Sequence, residues 1–360
     1  MLKSDWLPLA MRPFPILVLC VALAASLLAQ KPKKKKPDVE PRPQVLEIIP
    51  DPPDAVIAEP GRLSFQVSPL SDKGLLSQQV HDALKALARL NHGAPILKLR
   101  AFVAGSGDLR RVKDIVAEDL TDKKQPLPAV STIQVGALPL TGAQVVLEAV
   151  SSEKKVVNPS GIAFVPAAGS PNAAAAVAQM GSAINNAGVK AADVLRITCF
   201  MSSLADVDAA RSAVAMAFPA AAANFVQMQR LGLERQVLCE GAARLATAPA
   251  SPPPAGSAVA LINSPKIILT STQLVFREQD SDFRLAYQRL AKTMAPLGAT
   301  FKDVFWTGNY ALTLPNAAKI ESLQWEFLDR AHPPASTILQ MEGLPSTDAT
   351  AAIEFMAIIR

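Results

Sequence analysis

The feature that most constrains the fold is a pattern that occurs three times along the chain. In each copy an amphipathic helical stretch ends near a glycine, a strand and a second helix follow, and a glutamate stands in a final apolar strand. The glycines are Gly93, Gly188 and Gly298, and the glutamates are Glu148, Glu240 and Glu354. The glycine-to-glutamate spacing is 55, 52 and 56 residues. Repeats of such constant length predict three copies of one folding unit.

Each copy has the local pattern of an α+β layer. Apolar residues recur every three to four positions before each glycine, as in a helix lying on a sheet, and glycine suits the position after a helix. Short strand candidates precede these helices, namely "RLSFQVS", "GIAFVPA" and "KIILTSTQLVF". The unit is therefore predicted as β-β-α-β-α-β-β with its helices on one face of the sheet.

The last two strands of each copy are predicted to form a β-hairpin. In the first copy this hairpin is "PAVSTIQVGALPLTGAQVVLEAV", residues 128–150, folded back at Leu138 and Pro139. Its composition is apolar on both alternating sets of positions, with Glu148 as the only acid.

Stretches rich in proline, in lysine or in apolar residues divide the chain into segments. Residues 1–29 contain a short apolar run with small residues near Ala29, which indicates a cleaved signal peptide and a secreted or periplasmic protein; an uncleaved N-terminal anchor is the alternative. The proline-rich stretch "ATAPASPPPAGS" indicates a spacer before the third unit. The predicted segments are the signal peptide 1–29, a basic disordered lead-in 30–43, the units 44–152, 153–246 and 258–360, and the linker 247–257.

Charge and side-chain inventory exclude several function classes. The formal net charge of +5 falls to −1 once residues 1–29 and the five lysines of "KPKKKK" are set aside. Such a near-neutral body with 5% aromatic residues offers no basic stripe for nucleic acid. The three histidines are far apart, so neither a metal site nor a cofactor is predicted. Cys199 and Cys239 could pair in an exported chain or remain buried free thiols.

The repeated motifs resemble the RidA/YjgF superfamily of reactive-intermediate deaminases. "PAVSTIQVGALPLTGAQVVLEAV" and "PPASTILQMEGLPSTDATAAIEFMAI" are similar to that family's final strands, and "AAANFVQMQRLGLERQVLCEGAA" follows the same pattern more loosely. The resemblance covers most of residues 61–360. It implies chorismate-mutase-like units that, in one chain, pack as an intramolecular pseudo-trimer, so that the protein acts as a monomer with ligand pockets between units.

The resemblance also implies which residues would act on a ligand. The family hydrolyses imino or enamino acids, with an arginine that binds the substrate carboxylate and a glutamate that helps hold the attacking water. Glu148, Glu240 and Glu354 match the glutamate and are the predicted catalytic residues. A purely structural role, in which each glutamate pairs with backbone donors or with a neighbouring basic side chain at a strand end, is the alternative.

The arginine of the family is missing from all three units. Its place falls at Val130, Ala223 and Ala335, which carry no charge. A ligand carboxylate buried without a counter-charge is costly, so ordinary imino-acid hydrolysis is not expected. Three other residues are candidate ligand-binding groups, namely Ser271 from the family's early "S-G-Q" motif, and Lys113 and Arg211 on the second helices.

The sequence thus predicts an exported protein that binds a small metabolite between units. An enamine or imine deaminase acting on an unidentified small molecule is the alternative, and a structural scaffold is a third possibility. No nucleic acid partner and no stable membrane insertion after signal removal are expected.

Overall fold

The computed structural model describes residues 49–105, 108–230, 234–249 and 259–359. The predicted signal peptide and basic lead-in lie outside the described residues, as does all of the predicted linker except 247–249. The described chain contains fifteen strands and six α-helices, together with short 3₁₀ turns. The predicted α+β class is confirmed.

The first segment follows the predicted order of β-β-α-β-α-β-β, whereas the second has one strand before its first helix and the third has three. The first segment contains β1 (Ala55–Ala58), β2 (Leu63–Val67), α1 (Leu76–Leu90), β3 (Ile96–Ala104), α2 (Leu109–Asp122), β4 (Ala129–Val135) and β5 (Val145–Ser152). The second contains β6 (Ile162–Ser170), α3 (Ala173–Asn186), β7 (Val194–Met201), α4 (Val207–Ala217), β8 (Ala222–Gln227) and β9 (Val237–Arg244). The third contains β10 (Ala260–Ile262), β11 (Lys266–Thr270), β12 (Gln273–Phe276), α5 (Asp280–Met294), β13 (Val304–Ala311), α6 (Leu314–Leu323), β14 (Ala335–Gln340) and β15 (Ala349–Ile359).

These strands form three sheets of closely similar topology. The strand orders are β2-β5-β3-β4, β10-β6-β9-β7-β8 and β1-β11-β15-β13-β14, with β12 also paired to β15. In each sheet the central strand has one parallel neighbour and one antiparallel neighbour. Two edge strands come from other parts of the chain, because β1 pairs with β11 and β10 pairs with β6. These exchanged strands tie the sheets together.

The predicted hairpins are wrong. β4 and β5 do not pair with each other, because β3 lies between them, and the same holds for β8 and β9 around β7 and for β14 and β15 around β13. The nine residues between Val135 and Val145 are long enough to cross the end of one intervening strand. The helix between β3 and β4 makes a parallel pair of these two strands, and β5 then adds to the free side of β3.

One face of each sheet is covered by its own pair of helices. The first, second and third sheets have separate apolar cores beneath α1 and α2, α3 and α4, and α5 and α6. The three predicted capping glycines adopt left-handed φ values of 74°, 74° and 88° just beyond the helix ends. Gly93 N donates a hydrogen bond to Ala88 O at 2.9 Å, which satisfies a carbonyl of the last helical turn.

The other faces of the three sheets meet in the middle of the molecule. Two apolar clusters form there, each with residues from all three sheets. The first central cluster includes Phe102, Phe200 and Tyr310, and the second central cluster includes Phe65, Phe164 and Trp306. Burial of both sheet faces explains why the strands are apolar on both alternating sets of positions.

Backbone hydrogen bonds close this central packing at one end. Gln134 N donates to Gly343 O at 2.9 Å, Gly136 N donates to Met228 O at 2.8 Å, and Gln229 N donates to Gln340 O at 3.2 Å. Each bond joins the end of a parallel strand in one sheet to the corresponding region of another. Every pair of sheets is therefore linked through the main chain as well as through side-chain packing.

Candidate functional site

The three repeated glutamates occupy corresponding positions in the three sheets. Glu148 pairs in register with Arg100, Glu240 with Thr198, and Glu354 with Gly308. Each central strand also carries a bulge two to four residues before this position. Because successive strand side chains alternate between faces, all three glutamates point towards the centre, between the two central clusters.

Six charged side chains share this central space. Arg100 donates to Glu148 Oε2 at 2.9 and 2.5 Å and to Glu240 Oε1 at 2.6 Å. Arg196 lies 3.5 Å from Glu148 Oε2 and 3.3 Å from Glu240 Oε1. The pair of Lys98 and Glu354 completes the buried charge cluster of Lys98, Arg100, Arg196, Glu148, Glu240 and Glu354. Its formal charges sum to zero.

Neutral side chains complete the hydrogen bonds of the carboxylates. Thr198 and Asn224 donate to Glu148 Oε1 at 2.5 and 2.7 Å. Ser131 and Tyr310 donate to Glu354 at 2.5 and 2.7 Å. These donors come from all three sheets, so the network forms only when the sheets are packed together. Two buried atoms of the cluster, Glu240 Oε2 and Arg196 Nε, have no hydrogen-bond partner among the described residues.

The electrostatics of the cluster favour the ionised forms of Glu148 and Glu354. Burial raises the pKa of Glu148. The positive charges of Arg100 and Arg196, with the hydrogen bonds from Thr198 and Asn224, lower it by more, so the pKa lies below its ordinary value. Burial likewise raises the pKa of Glu354, but the charges of Lys98 and Arg100 and the hydrogen bonds from Lys98 and Ser131 together lower the pKa below its ordinary value. Burial, together with the nearby charge of Glu354, raises the pKa of Tyr310 well above its ordinary value, which keeps this phenol a hydrogen-bond donor.

The glutamates are sealed from solvent. Glu148, Glu240 and Glu354 are 3%, 1% and 0% exposed. Their oxygens contact the cations and donors described above, which is the arrangement of a structural ion-pair network. Catalysis by these residues stays a prediction, and any substrate that reached them would have to separate packed sheets.

Close packing at the third position depends on a glycine. A Cβ atom at Gly308 would lie 2.5 Å from Trp306 Cη2 and 2.9 Å from Glu354 Oε1. The corresponding positions in the other sheets carry Arg100 and Thr198. The three corresponding positions therefore carry one guanidinium, one hydroxyl and, at Gly308, no side chain, and Trp306 and Glu354 pack closely against the backbone of this glycine.

The positions aligned with the family arginine are not equivalent in the structure. Val130 and Ala223 pack towards the helices of their sheets, whereas Ala335 belongs to the second central cluster. Leu99 of the first sheet corresponds to Thr307 of the third. Leu99 pairs with Val130, and Thr307 pairs with Ser336. The counterpart of Val130 is therefore Ser336, one residue later than predicted. The prediction for Ala335 is corrected accordingly. Ser336 also carries no positive charge.

The cations come instead from the neighbouring central strands. Lys98 and Arg100 alternate in "ILKLRAFVA", and Arg196 stands at the position of Lys98 in "VLRITCFMS". Sequence reasoning missed these three residues. The available clue was the presence of positive residues inside apolar strands. Buried charges need partners, so these cations could have been expected to face the acids.

The other predicted ligand-binding residues lie apart. Ser271 is buried beside β11, where its amide donates to Asp54 O at 2.7 Å. Lys113 is half-buried on α2. Arg211 is exposed on α4, forms an ion pair with Asp208 at 3.0 Å and lies over the Phe225 ring. They belong to three different sheets, and the contacts of the described residues do not bring them into one site.

Open space occurs between the first and second sheets instead. A cleft of about 860 Å³ lies between β2, the end of α1 and β8, with Arg89, His92, Gln66 and Glu153 among its lining residues. His92 has a left-handed φ of 53°, a conformation uncommon for residues other than glycine. Small residues from "FPAAAANF" form the opposite wall. This cleft is the candidate functional site.

A second cavity of about 300 Å³ adjoins the cleft. The two spaces share Ser64, Phe65, Glu153 and Ala222 among their lining residues, and the smaller one also reaches Asn158 and Arg244. Because both contain residues of the first and second sheets, we name them together the inter-sheet cleft. It includes polar and charged groups on an apolar background, which is the usual character of small-molecule sites.

The two cysteines form a disulfide in the second sheet. Cys199 and Cys239 face each other on β7 and β9, and their sulfur atoms are bonded. Both belong to the apolar core beneath α3 and α4. The pairing that the sequence left open is thus settled in favour of the disulfide.

Comparison with known proteins gives structural relatives only. No family model matches the chain, and no curated protein does. A YjgF family protein from Neisseria meningitidis is 17% identical and covers 28% of this chain and 84% of its own, with a TM-score of 0.24. A YjgF/YER057c/UK114 family member from Mycobacterium tuberculosis is 16% identical, with coverage of 28% and 83% and a TM-score of 0.25. RidA from Psychrobacter is 19% identical, with coverage of 27% and 83% and a TM-score of 0.24.

These structural neighbours are YjgF/RidA family proteins. Within the described part of the chain, no α-helix has the length and apolar character needed to cross a membrane.

Proposed function

We propose that this protein binds a small metabolite in the inter-sheet cleft and lacks imine deaminase activity. The observation that carries the proposal is the contrast between two places. The glutamates expected to act on a substrate are sealed in an ion-pair cluster whose formal charges sum to zero, whereas the inter-sheet cleft is open and lined by polar and charged side chains. A ligand can enter the cleft without disturbing the packed centre.

The argument against deamination is chemical. Hydrolysis of an imino acid needs a cation for the substrate carboxylate and a base or carboxylate that positions water. Arg100, Arg196 and Lys98 already neutralise Glu148, Glu240 and Glu354. Freeing one carboxylate for catalysis would leave a buried cation unpaired, which costs several kcal/mol.

The architecture that supports this proposal is an intramolecular pseudo-trimer of three RidA-like units. Matching strand orders, matching bulges and shared central clusters favour it. The exchanged strands β1 and β10 join the units within a single chain, so a monomer would be self-sufficient. A monomeric mass in solution supports the proposal, and a stable assembly of three chains contradicts it.

Export is the proposed location. The apolar N-terminal run with small residues near Ala29 supports a signal peptide. The Cys199–Cys239 disulfide agrees with an oxidising compartment. Detection of the mature N-terminus near residue 30 in the extracytoplasmic fraction would support export, and retention of the full chain in the cytoplasm would contradict it.

Two measurements test the function. In a coupled assay that generates an imine and follows keto-acid release, the full chain is expected to give no acceleration over buffer, whereas acceleration would support the deaminase alternative. For binding, we expect at least one compound in a panel of amino acids, 2-keto acids and amines to raise the melting temperature, because a ligand of the folded state stabilises it.

A matched pair of variants locates the binding. Ala222→Phe fills the inter-sheet cleft and is expected to abolish the thermal shift, whereas Ala209→Phe at an exposed position of α4 is expected to leave it unchanged. A panel without any shift, or a shift that survives Ala222→Phe, would contradict binding in the cleft.

A further inference from the structure

Two residues of opposite charge line the smaller cavity of the inter-sheet cleft without pairing with each other. Arg244 ends β9 of the second sheet, and Glu153 follows β5 of the first. No ion pair within 4 Å joins them or involves either one among the described residues. Opposite charges that share a small cavity yet remain separate define a site for a molecule that carries both signs.

We infer that the cavity takes a small zwitterion, an α-amino acid with a neutral side chain, whose carboxylate meets Arg244 and whose ammonium meets Glu153. This inference rests on the proposed binding function. Neither residue stands at a position where the resembled family has its arginine or its glutamate.

Arg244 has unused hydrogen-bonding capacity. Its Nε atom is buried and has no hydrogen-bond partner among the described residues. A buried donor without a partner is costly, and a guanidinium offers a planar fork that matches a carboxylate. A ligand carboxylate would satisfy the donor and balance the charge in one step.

Glu153 is held in place by a chain of hydrogen bonds. Ser64 Oγ donates to Glu153 Oε1 at 2.7 Å, and Gln66 Nε2 donates to Ser64 Oγ at 2.8 Å. Behind them, Ser151 Oγ donates to Gln66 Oε1 at 3.0 Å, and Asn91 Nδ2 donates to Ser151 Oγ at 3.1 Å. This relay orients one carboxylate oxygen and leaves the other for a ligand donor.

Asn158 adds a second acceptor to the same cavity. It is 1% exposed, and its Nδ2 atom donates to Pro60 O at 3.1 Å and to Leu63 O at 2.7 Å. Its Oδ1 atom has no partner among the described residues. An ammonium group carries three donors and no acceptor, so it can bind both Glu153 and Asn158 Oδ1.

The remaining walls indicate the side chain of the ligand. Leu63, Phe65, Val157 and Leu195 are apolar, and Ala220 and Ala222 leave space between them. No further charged residue lines this cavity. A volume of about 300 Å³ is at the small end of ligand sites, which favours a short aliphatic side chain.

The test compares L-valine with two analogues on the full chain by isothermal titration calorimetry. L-valinamide lacks the carboxylate, and 3-methylbutanoate lacks the amine. We expect L-valine to bind at least tenfold more tightly than either analogue. Equal affinity for valine and one analogue would overturn the inference, because one of the two charges would then play no part.

Variants assign each charge to its residue. Arg244→Gln should abolish the preference for valine over valinamide, and Glu153→Gln should abolish the preference for valine over 3-methylbutanoate. Arg284→Gln, at a partly exposed arginine that pairs with Glu326, is the control and should bind as the parent does. Unchanged discrimination in both Arg244→Gln and Glu153→Gln, with parental melting temperatures, would overturn the assignment.

The outcomes separate this inference from the proposed function. If no neutral amino acid binds but another panel compound gives a thermal shift that Ala222→Phe abolishes, the zwitterion inference fails and binding in the cleft stands. If Ala222→Phe alters the response to no compound, the proposed function fails, and this inference fails with it.

Discussion

Replacing Arg100 with methionine should destabilise the protein strongly without changing its topology. Arg100 is 3% exposed and donates to both Glu148 and Glu240. Methionine keeps the side chain long and apolar but leaves two buried carboxylates with Arg196 as the nearest remaining cation. Removing one partner of a buried ion pair costs about 3–5 kcal/mol, which predicts a loss of that order in the free energy of unfolding.

The assay is urea unfolding followed by circular dichroism, together with thermal melting. At about 2–4 °C per kcal/mol for a domain of this size class, the melting temperature should fall by roughly 6–20 °C. Arg211→Met removes an exposed arginine that pairs with Asp208, and should change the stability by less than about 1 kcal/mol. A loss in Arg100→Met no larger than that of the control would refute the assignment of a structural charge cluster.

The pH dependence of Arg100→Met provides an independent check. Burial raises the pKa of Glu148, and in the variant Arg196 is the main group left to lower it. The carboxyl group then takes up a proton more readily in the folded state. The deficit of the variant relative to the parent should therefore shrink as the pH falls from 7 towards 5, whereas a constant deficit would contradict this account.

Two further predictions concern stability of the parent protein. The folded-state pKa values of Glu148 and Glu354 are depressed, so their stabilising contribution is present above the unfolded value of about 4.3 and is lost as the pH falls through the folded values. Urea midpoints should therefore decline below about pH 4, and a midpoint that is constant between pH 6 and pH 3 would contradict the reasoning. Reduction of the Cys199–Cys239 disulfide, which closes a 40-residue separation, should lower the free energy of unfolding by about 4 kcal/mol in the chain-entropy model. Equal urea midpoints with and without a reductant that is shown to open the bond would refute this estimate.

The local features of the fold were readable from the sequence. The apolar spacing before Gly93, Gly188 and Gly298 predicted three helices, and the structure places a left-handed glycine just beyond each. The strands after those glycines were also predicted, as were the apolar last strands with their glutamates. Such features depend on neighbours within one turn of helix or a few residues of strand, so a linear pattern is sufficient to show them.

Strand pairing was beyond the reach of the same patterns. An apolar strand followed by a turn and another apolar strand is compatible with a hairpin or with a connection that crosses a third strand. The β4–β5 connection is of the second kind because β3 occupies the place between them. Nothing in the periodicity of 128–150 distinguishes the two arrangements, since both bury the same residues.

The candidate site shows the same division. The sequence indicated three repeated acids and the absence of an arginine at Val130 and Ala223, which already argued against ordinary deamination. It did not indicate that Lys98, Arg100 and Arg196 would face those acids. It also did not indicate that Glu153 and Arg244, from different sheets, would line one cavity.

The sequence by itself determined the helix ends and the apolar character of the strands, because these follow from the order of apolar, polar and glycine residues over short distances. Only the tertiary structure decided which charges meet. Lys98 and Glu354 are 256 residues apart, and Arg100 and Glu240 are 140 residues apart, yet both pairs are in contact at the centre. Such contacts arise from the packing of whole sheets, and the high cost of an unpaired buried charge makes the partners depend on one another across the chain.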